Sequence, residues 1–312
     1  MGERALIGAG EYRYEMDSDW AKLPDSIRFG YCHGVEVDAE GFVYVFHTNA
    51  PCVVKFDADG RYVSSWGDEF AGGAHGFYLH TEADGSQYFY ITDTARGLLV
   101  KTTLDGTTLL ELGTPDLPDV YDAERKYVPT DAAVAPNGDI YVADGYGQSW
   151  IHRYRANGDY VGSFGGKGGE PGRFSCPHGI SVDLRGGEPE LYVADRGNHR
   201  IQVLTLDGEP KRIVDENMDM PCSFFIHGDL LIFPDLHSRV TLFDGDDRLI
   251  THLGEDQQAY KQQGWPNLPD TYFRNNRFSS PHGVCADAKG NLYVAEWTVN
   301  GRVTKLTKAS RS

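Results

Sequence analysis

Long apolar segments are absent from this sequence. Hydrophobic residues make up 40% of its 312 positions, but the longest apolar runs are only a handful of residues. Nor does a basic segment followed by an apolar one stand at the start. We therefore expect neither a signal peptide nor a membrane span.

Basic residues are scarce as well. The 29 Lys and Arg are outnumbered by 46 Asp and Glu, which gives a formal net charge of −17 at pH 7. A strongly acidic surface repels nucleic acid and anionic lipid. Neither nucleic acid nor a membrane is therefore an expected partner.

The cysteines show no paired spacing. There are five of them and no Cys-X-X-Cys motif. An odd number without tight spacing indicates neither a disulfide framework nor a zinc knuckle. We therefore expect reduced thiols and a cytoplasmic location. The cysteines are Cys32, Cys52, Cys176, Cys222 and Cys285.

What is present is an internal repeat. Each copy has a small or His-Gly start, an apolar strand ending in an acid, and a second strand of the type LYVAD, as in HGISVD (178–183) and LYVAD (191–195). Asp-Gly and Asn-Gly turns separate the later strands, as in β-hairpins. Units of roughly 40–50 residues with four short strands are typical of propeller blades. The copies start at residues 33, 75, 130, 178, 222 and 282.

Six copies predict an all-β fold, a six-bladed β-propeller that forms one domain over residues 1–312. The sixth copy has only three strands before the chain ends. The segment EYRYEMD (11–17) can supply the outer strand of that blade, which would close the ring and remove a free sheet edge.

The first residues of the repeats predict a metal site. These positions begin the innermost strands, and four of the six are histidines in a chain with 11 histidines. Neutral imidazole binds zinc and other divalent transition metals. The alternative is that His-Gly only starts a strand, with glycine needed for close packing. The four histidines are His33, His75, His178 and His282.

Several stretches resemble a known enzyme family. The text PTDAAVAPNGDIYVADGY (129–146), PHGISVD (177–183), LYVADRGNHRIQVL (191–204) and SPHGVCADAKGNLYVAEWT (280–298) is similar to NHL repeats and to peptidyl-α-hydroxyglycine α-amidating lyase. The resemblance implies a zinc ion on His75, His178 and His282. It also implies that Tyr146 is the catalytic base and Arg196 a substrate-binding arginine.

The sequence departs from the family in three places. Thr48 stands where a second active-site arginine is expected, Gly283 replaces a calcium-binding aspartate, and the disulfide cysteines are missing. Arg96 could replace the missing arginine, and Trp297 could form a wall of the pocket. His33 would be an extra ligand or lie beside the metal. These differences favour a small soluble substrate over a secreted peptide.

We expect from this a metal-dependent lyase, with Zn²⁺ as the expected ion, that cleaves a C–N or C–O bond in a small hydroxylated or carbonyl substrate. Two alternatives remain open. One is a hydrolase or hydratase that uses metal-bound hydroxide on the same scaffold. The other is a non-catalytic NHL propeller that binds a protein partner.

Overall fold

The protein is described here from a computed structural model that covers residues 6–269, 272 and 276–310. In that part of the chain, 25 strands form six antiparallel sheets. Three short 3-10 helices, Asp68–Phe70, Arg196–Asn198 and Ala259–Lys261, lie in connecting segments. None of the described helices has the length and apolar character to span a bilayer.

The sheets fall into two compact units, one with residues 1–71 and 224–312 and one with residues 72–223. The second unit holds three four-stranded sheets, each made of consecutive strands. They are β7 Ala74–Thr81, β8 Gln87–Asp93, β9 Leu98–Thr102 and β10 Thr108–Leu112; β11 Asp131–Val134, β12 Ile140–Ala143, β13 Trp150–Tyr154 and β14 Tyr160–Gly165; and β15 Pro177–Asp183, β16 Glu190–Asp195, β17 Arg200–Leu204 and β18 Pro210–Val214.

The first unit holds the other three sheets. They are β3 Cys32–Val37, β4 Val43–His47, β5 Val53–Phe56 and β6 Tyr62–Trp66; β19 Phe225–His227, β20 Leu230–Asp235, β21 Arg239–Phe243 and β22 Leu249–Leu253; and a five-stranded sheet of β1 Leu6–Ala9, β2 Tyr12–Asp17, β25 Arg302–Lys308, β24 Leu292–Glu296 and β23 Pro281–Ala286.

The N-terminal strand completes the last sheet as predicted. Strand β2 pairs antiparallel with β25, with Tyr14 opposite Lys308 and Asp17 opposite Lys305. The short strand β1 adds a fifth member outside β2, which the sequence analysis did not anticipate. The six-bladed β-propeller prediction is confirmed in its strand pattern and in this closing strand. The prediction of a single domain stays a prediction.

Each unit is held by buried apolar residues between its own sheets. In the second unit one cluster joins strand residues such as Ile140 and Val142 to Tyr121 and Tyr127, which come from the segment between β10 and β11. Burying a large apolar side chain contributes about 1.5–3 kcal/mol. The long connection is therefore part of the core and not a free loop.

A buried acid ends the second strand of five sheets and caps a turn. Asp195 is representative: its Oδ1 accepts the Ser175 backbone N–H at 2.7 Å, and its Oδ2 accepts from Arg200 Nε at 2.7 Å. The Ser175 N–H lies twenty residues before Asp195, so this carboxylate joins two segments, whereas the equivalent Asp93 caps a turn by accepting the Ala95 N–H at 3.0 Å. The equivalent acids are Asp93, Asp144, Asp235 and Glu296. In the sheet β3–β6 the equivalent residue is His47.

Candidate metal and catalytic site

Three of the predicted ligand histidines share one local arrangement. His75 Nδ1 lies 2.7 Å from the Thr130 carbonyl oxygen, and His178 Nδ1 lies 2.8 Å from the Cys222 carbonyl oxygen. In the first unit, His282 Nδ1 lies 2.9 Å from the His33 carbonyl oxygen. A carbonyl oxygen only accepts, so each Nδ1 carries the proton and each neutral ring has its lone pair on Nε2.

The glycine after each of these histidines explains how the carbonyl comes so close. A Cβ atom at Gly76 would lie 2.5 Å from the Thr130 oxygen, and one at Gly179 would lie 2.3 Å from the Cys222 oxygen. At Gly283 the distance to the His33 oxygen would be 2.6 Å. Only glycine avoids these clashes. The His-Gly pair is therefore one device, in which glycine admits the carbonyl that orients the imidazole.

Tyr146 brings the predicted residues of the second unit together. Its hydroxyl lies 3.1 Å from His75 Nε2, 3.0 Å from His178 Nε2 and 3.2 Å from an Arg196 terminal nitrogen. The ring stands 4.9 Å from the His75 ring, and the Arg196 guanidinium carbon is 5.5 Å from the tyrosine ring centre. Although 45% of Tyr146 is exposed, its hydroxyl points into this group.

The proton count at this hydroxyl fits a bound cation. Both Nε2 atoms face it with lone pairs, and Arg196 can only donate to its oxygen. A phenol has one proton, which serves one Nε2 and not both. A metal ion shared by the two imidazoles would use both lone pairs. Histidine metal ligands typically donate their other ring N–H to a carbonyl or carboxylate, which fixes the tautomer. The residues present therefore fit a divalent transition metal.

Electrostatics at the site are set by burial and by Arg196. Burial raises the pKa of Tyr146, and the adjacent Arg196 charge acts in the opposite direction. Burial opposes the charge on Arg196, but Cys222, Tyr146 and Cys176 together raise the pKa of its guanidinium. Burial likewise raises the pKa of the Cys176 thiol. Arg196 is thus a permanent cation at the tyrosine hydroxyl.

Two cysteines flank this arginine, and the sequence analysis did not assign them to the site. A terminal nitrogen of Arg196 lies 3.5 Å from Cys176 Sγ, and the other lies 3.9 Å from Cys222 Sγ. Cys222 precedes the first strand of its sheet, which begins at Phe225, three residues after the predicted repeat start. Cys176 immediately precedes the Pro-His-Gly motif, and this adjacency was the available signal. All five cysteines are free thiols, as expected.

The remaining predicted residues take other positions. In the first unit the His33 and His282 rings are 4.5 Å apart, and His33 contributes the carbonyl to His282. Its role as a fourth metal ligand stays a prediction. Arg96 Nε donates to Asp93 Oδ2 at 2.6 Å, which is a structural contact in its own turn. Its assignment to substrate binding is not tested by this contact.

Thr48 and Trp297 both lie beside Tyr31 in the first unit. Thr48 Oγ1 accepts the Tyr31 backbone N–H at 3.0 Å. The Trp297 ring is 5.1 Å from the Tyr31 ring and is half-buried. The two side chains share a neighbour, but their roles in substrate binding stay predictions.

Backbone carbonyls orient the two site imidazoles of the second unit. The three acids of its sheets instead hold turns, and backbone carbonyls hold Nδ1. A carbonyl fixes the tautomer without adding a negative charge near the ligand atom.

The fold class is that of six-bladed β-propellers. A solved structure described as streptogramin B lyase aligns with a TM-score of 0.64 over 95% of this chain and 98% of that one, at 14% identity. At that identity the likeness concerns the fold. The NHL repeat family matches residues 174–204 and 278–306.

Two curated relatives carry the comparison further. NHL repeat-containing protein 3 of Homo sapiens is 29% identical over 204 residues, which is 62% of this chain and 57% of that protein. Peptidyl-alpha-hydroxyglycine alpha-amidating lyase 1 of Drosophila melanogaster is 28% identical over 263 residues, which is 77% of this chain and 45% of that protein. The resemblance to amidating lyases is therefore confirmed, and this chain spans less than two thirds of either relative.

Proposed function

We propose that this protein is a metal-dependent lyase that cleaves an N-substituted α-hydroxyglycine or a similar small hydroxylated substrate. The observation that supports it is that His75, His178 and Arg196 all contact the Tyr146 hydroxyl. A base, two oriented imidazoles and a fixed cation are the parts that such an elimination needs. The likeness to the Drosophila lyase supports the same class of reaction.

His75 and His178 would hold the metal ion through Nε2, since their Nδ1 atoms are engaged by carbonyls. His282 is included as the third ligand because the resemblance assigns it and because its Nδ1 is held in the same way. Zn²⁺ is the expected ion for a set of three histidines. When bound, it supplies Lewis-acid stabilisation of negative charge on a substrate oxygen.

Arg196 and Tyr146 would bind the substrate and transfer its proton. Arg196 would bind the substrate carboxylate through its forked N–H groups. Tyr146 would accept the proton of the substrate hydroxyl as the phenolate, the form that the adjacent Arg196 charge and a bound cation would favour. The C–O bond becomes a carbonyl, the C–N bond breaks, and the leaving amide nitrogen takes up the proton. The products are an amide and glyoxylate, so atoms and charge balance.

The test uses the protein purified without chelators. Metal content is measured by mass spectrometry for the wild type and for His75→Ala, His178→Ala and His282→Ala. One divalent ion per chain in the wild type, lost in each variant, is the expected result. Absence of metal from the wild type would refute the metal-dependent proposal and leave the non-catalytic NHL scaffold.

Activity is measured as glyoxylate released from an α-hydroxyhippurate-type compound. Tyr146→Phe should lower kcat by at least about a hundredfold, the range for loss of a general base, while metal content is unchanged. Tyr62→Phe removes a hydroxyl from an outer strand and should leave kcat as it was. Stoichiometric metal with no glyoxylate, but with turnover of ester or lactone substrates, would favour the hydrolase alternative.

A further inference from the structure

A chain of hydrogen bonds leads from the surface to the base of the Tyr146 loop. The Tyr160 hydroxyl lies 2.7 Å from Ser163 Oγ, which lies 2.6 Å from His152 Nδ1. His152 Nε2 lies 2.6 Å from the Tyr121 hydroxyl, which donates to Asp144 Oδ2 at 2.8 Å. Tyr160 is 44% exposed, whereas His152 and Asp144 have no exposed surface.

The proton positions in this chain have one consistent direction when Asp144 is ionised. The carboxylate only accepts, so the Tyr121 proton points to it. Tyr121 oxygen must then accept from His152 Nε2–H, which leaves Nδ1 to accept the Ser163 proton. Tyr160 therefore donates to Ser163. Burial lowers the pKa of His152 to about 4, so the ring is neutral at pH 7 with its proton on Nε2.

Asp144 transmits this arrangement to the loop that carries Tyr146. Its Oδ1 accepts the Val128 N–H at 2.7 Å, and its Oδ2 accepts the Gln148 N–H at 2.6 Å. The Tyr146 N–H donates to the Val128 carbonyl at 3.3 Å. Ser149 closes the loop with a φ of 61°, a left-handed conformation that is strained for a residue with a Cβ. These bonds to Asp144 offset that strain.

The sheet β11–β14 differs from the other sheets in how the acid at the end of its second strand is supported. In four other sheets an arginine pairs with the acid: Arg96 with Asp93, Arg200 with Asp195, Arg239 with Asp235 and Arg302 with Glu296. In the sheet β11–β14 the third strand begins at Trp150. In three of the other sheets the third strand begins with the arginine, which is Arg200, Arg239 or Arg302. The Tyr121 hydroxyl donates to Asp144 instead, and His152 contacts that hydroxyl.

We propose that Tyr121 and His152 are positioning residues that hold the Asp144 carboxylate and, through it, the loop that places the Tyr146 hydroxyl at the imidazoles. The catalytic part of this inference rests on the function proposed above for Tyr146. The structural part concerns only the loop, so the two can be tested separately.

The first test is hydrogen exchange of the Val128 and Gln148 amides at pH 7.5. Tyr121→Phe should speed their exchange about tenfold, the effect of losing one hydrogen bond to a charged group. Tyr154→Phe is the matched control, because it removes a hydroxyl that has no hydrogen-bond partner among the described residues and that belongs to the same apolar cluster. Unchanged exchange in Tyr121→Phe, or an equal change in Tyr154→Phe, would overturn the inference.

A second pair of variants separates positioning from packing. In His152→Gln the side-chain amide can donate to Tyr121 and accept from Ser163, so the two amides should keep their protection. In His152→Leu both bonds are lost and exchange should rise. Nitrogen NMR of labelled histidine should also show wild-type His152 with its proton on Nε2. An Nδ1-protonated ring at pH 7.5 would contradict the donor and acceptor roles assigned to these hydrogen bonds.

The catalytic consequence is read in the glyoxylate assay. Tyr121→Phe and His152→Leu should lower kcat at least tenfold with KM within twofold, whereas His152→Gln and Tyr154→Phe should match the wild type. Faster exchange with wild-type kcat would show that the loop does not depend on this chain for placing Tyr146, and would refute the proposal. If the wild type releases no glyoxylate, the proposed function fails, and the exchange result decides the positioning by itself.

Discussion

His47 offers a sharp test of how burial controls the acid stability of this protein. It is fully buried at the position where five other sheets have an acid, and its Nδ1 accepts the backbone N–H groups of Gly30 and Asn49, both at 3.3 Å. The proton of the neutral ring is therefore on Nε2, a buried atom with no hydrogen-bond partner in the part of the chain that the structure describes. A second proton would occupy the Nδ1 lone pair and remove both of those accepted bonds.

The magnitude follows from the pKa. Burial lowers the pKa of His47 to about 4, against an ordinary value of 6.5. Between about pH 6.5 and pH 4, His47 therefore binds a proton in the unfolded chain but not in the folded protein. The stabilisation is fully present above pH 6.5 and is lost as the pH falls toward 4. The linkage relation gives a loss of about 2.5 kcal/mol between pH 7.5 and pH 4.5 from this residue alone.

The perturbation is His47→Asn, which keeps an acceptor for the two N–H groups but does not titrate. Urea unfolding is measured at pH 7.5 and pH 4.5 for the variant and the wild type, and the two pH differences are compared. The other titrating groups are common to both proteins, so their effects cancel. We expect the variant to lose about 2.5 kcal/mol less than the wild type. Equal losses would refute the assignment of a buried neutral imidazole.

Two further predictions concern packing and charge. Gly179→Ala should lower the free energy of unfolding by about 1–3 kcal/mol and weaken metal binding, because its Cβ would lie 2.3 Å from a carbonyl oxygen; Gly169→Ala, which has open space around it, should not. Arg200→Leu should lower the free energy of unfolding by about 3 kcal/mol, because it leaves the buried Asp195 carboxylate without the Arg200 Nε that lies 2.7 Å away. Arg248→Leu removes only an exposed ion pair, and its effect in urea unfolding should stay below about 0.5 kcal/mol. An equal loss within either pair would contradict the reasoning.

Local sequence determined the repeating elements of this protein. Alternating apolar residues and Asp-Gly turns depend on neighbours a few positions apart, so the six sheets and the closing strand at Tyr12–Asp17 could be predicted. The recurrence of His-Gly at repeat starts likewise marked His75 and His178. Strand β1 and the late start of β19 were not predicted. Both pair with the next strand along the chain, but their short sequences, LIGA and FIH, carry too little apolar alternation to mark a strand.

Tertiary structure alone decided how those residues act. That carbonyls of Thr130 and Cys222 orient the two imidazoles, and that two thiols flank Arg196, depends on segments tens of residues apart. The path from His152 through Tyr121 to Asp144 has the same origin. Side-chain type and spacing therefore identified candidate ligands and a candidate base, whereas tautomer, proton direction and the support of Tyr146 follow from contacts that only folding creates.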